Sequence, residues 1–538
     1  MKLQGWRVLL ISLALILAVP VLTILGYVFV PAPEVWAHLR ATVLADYVWN
    51  TLWLVLGVGI GVLLLGVPVA WLNSLCDFPG QRIFEWALLL PMALPAYIIA
   101  YTYTGLLDFA GPVQSLIRFS GGWGYGEYWF PEIRSLGGAI LMLSLVLFPY
   151  VYLLARAAFL QQSVGMLEVS RTLGLNAWQS VWRVALPLAR PAIMTGLSLA
   201  MMETLADFGT VQYFAVPTFT TGIFRTWFGL GDSAAASQLA ALLMSFVFMV
   251  LLLEQWARRK ARYHHTSAKH SRLPRYSLRG PWALVAVLLC ALPLALGFII
   301  PVGQLLYWSM TSARSTLNTE FIALVQHSLL LAGVAALIAL LLALILAYGK
   351  RIAGETGVNL IVRLAGMGYA VPGTVIAVGV LIPLTWLDQR LDSVLHSGLW
   401  LSGTVFAVLF AYQVRFLAVS LQTVEAGLGK IKLTLDNAGR ILGLTSWGVL
   451  RQLHLPLMRG TVLTAILLVF VDVLKELPAT LILRPFNFNT LAVKAYELAS
   501  DERLADAGLP ALLIVAVGII PVVVLSRSIT KARAGEHA

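Results

Sequence analysis

The amino-acid sequence predicts an all-α polytopic membrane protein of about twelve transmembrane helices, arranged as two parallel six-helix repeats. Three observations predict it. Of 538 residues, 59% are hydrophobic and 12% are charged, a balance far too apolar for a soluble globule. About twelve apolar stretches are long enough for a bilayer, since roughly 30 Å of hydrocarbon takes about 20 helical residues. Finally, one segment is written twice. Glu168-Val-Ser-Arg-Thr-Leu-Gly174, followed by Leu186-Pro187-Leu188, recurs as Asn437-Ala-Gly-Arg-Ile-Leu-Gly443, followed by Leu455-Pro456-Leu457. The register is a constant 269 residues, pairing Arg171 with Arg440, Gly174 with Gly443, Trp178 with Trp447 and Pro187 with Pro456. Chance composition does not hold one register through turns and helices together.

The predicted spans are 8–30, 50–75, 85–106, 138–158, 192–215, 238–256, 281–305, 327–349, 361–385, 399–415, 461–483 and 508–526. The first follows Lys2 and Arg7 as a signal peptide would, but its apolar run is too long for one and reads as a retained span. Six spans fall on each side of a basic linker, giving a first half 1–256, a linker 257–280 and a second half 281–538. Most of the 37 Lys and Arg residues lie in one alternate set of loops and tails, so the positive-inside rule places both termini in the cytoplasm. The net charge of +12 therefore faces anionic headgroups of the lipid bilayer, and no nucleic-acid partner is implied. His264, His265 and His270 lie in the linker without a cysteine or carboxylate beside them, which is ordinary for solvated chain and weak for a metal site. The two cysteines, Cys76 and Cys290, lie in separate places and carry no redox signal.

Each duplicated loop, about 160–190 and 421–460, is predicted to be a short helix, a turn at Gly174 or Gly443 and a second short helix. Glycine there gives the backbone freedom to turn and lets another surface approach, while Pro187 and Pro456 suit the first turn of the next span. Trp178 and Trp447 follow the glycines. Exposed tryptophans suit a docking knob and equally suit anchoring at a membrane interface.

These loops resemble the EAA loop of ABC-importer permeases, and the chain resembles a fused permease carrying both halves, which implies a type I ABC importer fold. In that family the loop forms a coupling helix seated on a cytoplasmic ATPase. The resemblance therefore implies coupling roles for Glu168, Arg171, Gly174, Trp178 and Pro187, and for Asn437, Arg440, Gly443, Trp447 and Pro456. It departs from the pattern in the second copy, where Asn437 replaces the glutamate and Asp436 stands one residue earlier. Leu205-Ala-Asp-Phe-Gly-Thr-Val211, Lys475-Glu-Leu-Pro-Ala-Thr480 and Leu483-Arg-Pro-Phe-Asn-Phe-Asn-Thr490 are similar to the ferric-iron permease subfamily. That likeness implies ferric iron as substrate, a periplasmic iron-binding protein and two ATP-binding cassette subunits using ATP with magnesium. It also implies one fused chain per transporter in a bacterial inner membrane, with no cofactor bound by the chain itself. Thiamine or another small solute, moved by the same mechanism, is the alternative substrate.

Charges inside spans are costly and usually face water or one another. The repeat register pairs Glu203 with Asp472 and Asp207 with Glu476, so each half is expected to hold two acids one helical turn apart. Four such carboxylates suit a cation pathway; the bland reading is that Lys475 and polar neighbours neutralise them and hold the spans together. Pro95-Ala-Tyr-Ile-Ile-Ala100 and Pro372-Gly-Thr-Val-Ile-Ala377 predict a proline-broken helix in each half. Tyr97 there suits either a phenol offered to a ferric ion or a plain helix contact. The outer segment Gly121–Glu127 is a candidate landing surface for a binding protein, and aromatic-rich segments of this kind also form interface belts.

No catalytic motif stands out. Gly427-Leu-Gly-Lys430 lacks the spacing of a phosphate loop and is followed by Ile431 where Ser or Thr belongs, so ATP hydrolysis is expected in a separate subunit. A gradient-driven secondary transporter using the acids as its ion site is the alternative of another class, but the cytoplasmic Gly and Leu-Pro loops would then have no partner.

Overall fold

Among the described residues, ten helices are long and apolar enough to cross a membrane, and two sharply bent helix pairs bring the number to twelve if each pair is one span. The computed structural model describes residues 2–124, 126–161, 177–259, 276–353, 356–395 and 400–534. The twelve correspond one for one to the stretches read from hydropathy. In the first repeat the elements used below are α1 (Lys2–Tyr27), α2 (Leu44–Leu75), α3 (Gln81–Ala87), α4 (Ala96–Leu107), α5 (Pro112–Gly121), α6 (Leu136–Gln161), α7 (Leu186–Ala206), α8 (Gly209–Tyr213) and α9 (Ser233–Arg259). In the second they are α10 (Pro281–Leu294), α11 (Thr319–Ala353), α12 (Gly373–Leu395), α13 (Val405–Gly429), α14 (Leu433–Ile441), α15 (Ser446–Val449), α16 (Arg459–Leu474), α17 (Pro478–Leu483) and α18 (Leu504–Ala534).

The proline breaks have a simple backbone cause. A residue before proline is pushed out of the helical region, and Leu94 and Val371 are both extended, with ψ of 122° and 126°. Each follows a 3₁₀ turn, Leu90–Ala93 or Gly366–Ala370, and precedes a proline that opens the next helix. In the first half this break bends the third span by 91°.

The chain packs as two compact units. One comprises residues 1–39, 222–244 and 314–497, and its centre is the mutual packing of α11, α13 and α16. Small buried residues Ala332, Ala335, Ala339 and Ala343 on α11 permit the close approach that helices in lipid depend on. The other unit comprises 40–221, 245–313 and 498–538, centred on α2, α6 and α7. The packing units are therefore a different division of the chain from the two sequence repeats. Helix α1, from the first repeat, packs on α12 and on the Thr356–Ala365 helix in the unit centred on second-repeat helices. Helix α10, from the second repeat, packs on α2 and α3 in the unit centred on first-repeat helices, where α18 also lies against α4 and the Leu90–Ala93 turn. Gln238 of α9 holds the end of α1 in place, donating to the carbonyls of Tyr27 at 3.3 Å and Val30 at 2.6 Å.

The end of the linker is fixed to α2. Residues Cys76–Asp77 (β1) pair in parallel with Tyr276–Ser277 (β2), and Leu278 N–H donates to the Asp77 carbonyl at 3.0 Å. Cys76 and Cys290 are both buried free thiols. His264, His265 and His270 lie outside the described residues.

Candidate functional site

The second duplicated loop is built as two short helices around a glycine turn. Helix α14 ends where Gly443 takes φ of +84°, a left-handed conformation that glycine adopts without penalty. Gly443 N–H donates to Arg440 O at 3.0 Å and Leu444 N–H to Gly439 O at 3.0 Å, the paired bonds of a Schellman C-cap. Thr445 then caps α15, its hydroxyl accepting from Gly448 N–H at 3.2 Å. Next comes a π turn at Leu450–His454, just before Pro456. The first repeat has a π turn at Val181–Ala185 in the same register, just before Pro187. A proline clashes with the carbonyl four residues back, and the wider π turn accommodates it. Beyond Pro456 the chain bends by 82° between Leu457 and Arg459, whereas Val181–Ala206 runs as one unbroken span.

The apolar side of this loop is bare. Ile441, Leu442 and Trp447 are 85%, 82% and 63% exposed, and Asn437, Arg440 and Pro456 are exposed beside them. Ile441 and Leu442 escape a motif search because only the glycine after them is diagnostic; their signal is an apolar pair at the end of a polar helix. In the first copy Glu168, Arg171 and Gly174 lie outside the described residues, Trp178 falls in the short helix Ala177–Ser180, and Pro187 opens α7.

Asp436 turns inward. It is 7% exposed and accepts two bonds from the Arg351 guanidinium, Nε at 2.8 Å and Nη2 at 3.0 Å, and one from His454 Nε2 at 2.8 Å. Burial alone would raise this carboxyl, but hydrogen bonds and charge from Arg351 and His454 outweigh it and hold the group below its ordinary value. The shift of the acid by one residue relative to Glu168 thus moves it to the inner face of α14 and leaves Asn437 outside.

The intramembrane acids are also arranged differently from the expected helical pairs. Helices α7 and α16 stop at Ala206 and Leu474, so Asp207 and Glu476 lie past the helix ends and cap the helices that follow. Asp207 accepts from Thr210 Oγ1 at 2.9 Å and Val211 N–H at 3.1 Å at the start of α8. Glu476 accepts from Ala479 N–H at 3.1 Å at the start of α17. Capping supplies acceptors for helix N–H groups that otherwise have none.

Beyond this shared role the halves differ. Glu476 accepts from Arg415 Nη1 at 3.2 Å, and Asp472 pairs with Lys475 at 2.9 Å. The repeat register puts Val146 opposite Arg415 and Ala206 opposite Lys475. Glu203 is half-buried on α7. Arg415 is missed by a span that ends at 415, because the helix carrying it continues to Gly429. Gly373 belongs to the same cluster: a Cβ there would lie 2.7 Å from Glu476 Oε1 and run into the Arg415 guanidinium. Tyr97 is buried in the first turn of α4. Near the candidate landing surface, Trp123 stacks on Tyr128, and Phe119 and Trp129 stand exposed. Among the described residues, no three or more His, Cys, Asp or Glu side chains come together as a metal site.

The chain is built as two repeats of membrane helices, each broken at a proline and each carrying a π turn before a Leu-Pro-Leu, and its family match makes the fold that of a type I ABC permease. The chain belongs to the family of binding-protein-dependent transport system inner membrane components, whose model matches residues 6–263 and 339–533. It is 28% identical to the Fe(3+)-transport system permease protein FbpB 2 of Haemophilus influenzae, over 97% of this chain and 98% of that protein. It is 23% identical to the ferric transport system permease protein FbpB of Actinobacillus pleuropneumoniae, over 77% of this chain and 61% of that one. Similarity extends to the molybdenum transport system permease protein ModB of Escherichia coli, 27% identical over 41% of this chain and 97% of that protein. The protein is accordingly a multi-pass inner-membrane transport component.

Proposed function

We propose that this chain is the membrane permease of an ATP-driven importer that passes ferric iron from a periplasmic binding protein to the cytoplasm. The observation that carries the substrate is the similarity to a ferric permease along 97% of the chain and 98% of that relative, both repeats included. The mechanism draws support from the second loop, where Ile441, Leu442 and Trp447 form a bare apolar surface on a rigidly capped turn. Such a surface is suited to burial against a partner. In this reading both termini are cytoplasmic, each loop seats one of two ATP-binding cassette subunits, and one fused chain makes one transporter. ATP with magnesium acts in those subunits, and ferric iron is the only cargo assigned to this chain. Asp207 and Glu476 act first as helix caps, and Glu203, Asp472, Lys475 and Tyr97 complete the proposed translocation residues.

A second reading, an oxyanion as cargo, is favoured by the likeness to the molybdenum permease. Uptake of radiolabelled ferric iron, molybdate and thiamine decides among them, measured in cells lacking their own systems and supplied with this chain, its ATPase and its binding protein. Iron uptake that vanishes in a Gly174→Asp/Gly443→Asp variant is the expected result. Molybdate or thiamine uptake without iron overturns the substrate, and iron uptake indifferent to the double variant overturns ATP coupling through the loops.

A further inference from the structure

Helix α11 reaches the second loop with three side chains from its last turns. Arg351 makes the two-pronged contact with Asp436 and also donates from Nη1 to Leu428 O at 2.5 Å and from Nη2 to Ile431 O at 2.9 Å. Leu428 lies in the last turn of α13 and Ile431 two residues beyond its end, at a helix C-terminus where a cation is favoured. Tyr348 donates its hydroxyl to Ser446 O at 2.7 Å, and Lys350 pairs with Glu425 at 2.7 Å. On the far side of Asp436 stands His454, fully buried in the π turn that leads to α16, with its ring edge-on to Tyr348. One guanidinium and one carboxylate thus bring α11, α13, α14 and the approach to α16 to a single point.

We propose that Arg351, Asp436 and His454 form a clasp that positions α14 on the membrane helices, so that a push on the exposed Ile441–Trp447 end moves α11, α13 and α16 instead of deforming the loop. The proposal rests on reading this loop as the ATPase docking element. The residues have no other evident use: Asp436 faces away from the exposed apolar side, and all three side chains are largely buried. A fork-shaped guanidinium holding a carboxylate fixes orientation as well as distance. Nor is the clasp a general feature of the repeat. At the 277-residue offset that separates Pro95 from Pro372, Arg351 and Lys350 correspond to Ser74 and Asn73. Those polar groups turn back on α2, Ser74 Oγ donating to Ala70 O at 2.6 Å and Asn73 Nδ2 to Val69 O at 3.0 Å. At the 269-residue offset, Asp436 and His454 correspond to Leu167 and Ala185. The clasp belongs to the loop that lacks the glutamate.

Two readouts test it on the intact chain. Amide hydrogen exchange over residues 433–441 of the purified permease should speed up by about tenfold or more in Asp436→Asn and Arg351→Lys. Asn437→Ala, on the outer face of the same helix, should leave exchange unchanged. In proteoliposomes holding the partner ATPase and binding protein, the ATP hydrolysed per ferric ion imported should rise several-fold in the same two variants. A fold defect alone would lower both activities at a constant ratio. If either variant fails to fold, the other carries the test. Unchanged exchange in a folded variant, or a constant ratio, overturns the clasp. If the unvaried chain supports ATP hydrolysis but no iron uptake, the substrate reading fails, and the exchange measurement still decides the clasp.

Discussion

The two repeats solve the same backbone problem with different side chains, and the difference separates what the fold needs from what each half adds. Past the ends of α7 and α16, Asp207 and Glu476 both cap a short helix, through bonds to residues three or four positions on. Capping is the shared requirement. The second half adds Arg415 beside Glu476 and makes room for it with Gly373, where the first half has Val146 and, at the 277-residue offset, Ala96. Arg415 and Gly373 change together because a guanidinium placed against the shared acid needs space as well as a counter-charge. The loops repeat the lesson. A π turn precedes the proline in both copies, but only the second carries the Arg351–Asp436–His454 cluster and the 82° bend that follows it. Even the ion pairs near the loop change sign: Arg156 of α6 pairs with Glu85, while Glu425, at the same place on α13, pairs with Lys350.

The largest expected effect is at the clasp. Removing one partner of a buried ion pair leaves an uncompensated charge, worth about 3–5 kcal/mol, so Arg351→Ala should sharply lower the unfolding temperature of the purified chain in detergent. Ser74→Ala, its counterpart, removes one hydrogen bond internal to a helix and should cost about 1 kcal/mol or less. Equal effects would erase the distinction between the halves.

Next comes Gly373→Ala, which forces Arg415 and Glu476 apart and should cost about 1–3 kcal/mol as overpacking. The reciprocal Ala96→Gly should cost no more than about 1 kcal/mol, read by the same melts. Gly443→Ala asks an alanine to adopt the left-handed backbone of the turn, a penalty of roughly 1–2 kcal/mol, and should lower transport by displacing Trp447.

The smallest effect near neutral pH is titration of Asp436. Its carboxyl is held below its ordinary value, so its contribution is complete above the unfolded pKa of about 3.9 and is lost as pH falls through the lower folded value. Unfolding temperature against pH should therefore show an acid limb below about pH 4, and Asp436→Asn should flatten that limb.

Much of this was legible in the sequence for physical reasons. Hydropathy reports bilayer thickness, which is why the spans emerge, and the helix–turn–helix of the second loop follows from a glycine flanked by helix-forming residues. What stayed hidden depends on contacts distant in sequence. Nothing near Asp436 announces Arg351, 85 residues earlier, and a hydropathy window cannot tell that α1 and α10 pack on core helices of the opposite repeat. Asp207 and Glu476 read as members of helical acid pairs because spacing is silent about where a helix stops.

The most direct test of the account is docking itself. Trp447→Cys and Trp178→Cys, in a chain otherwise free of cysteine, should each form a covalent adduct with the partner ATPase when treated with a short bifunctional crosslinker in membranes. Adducts at both positions are the predicted result. Absence of any ATPase adduct at Trp447→Cys, with the thiol reacting instead with a lipid-borne reagent, would make the tryptophan an interface anchor and contradict the coupling role of the loop.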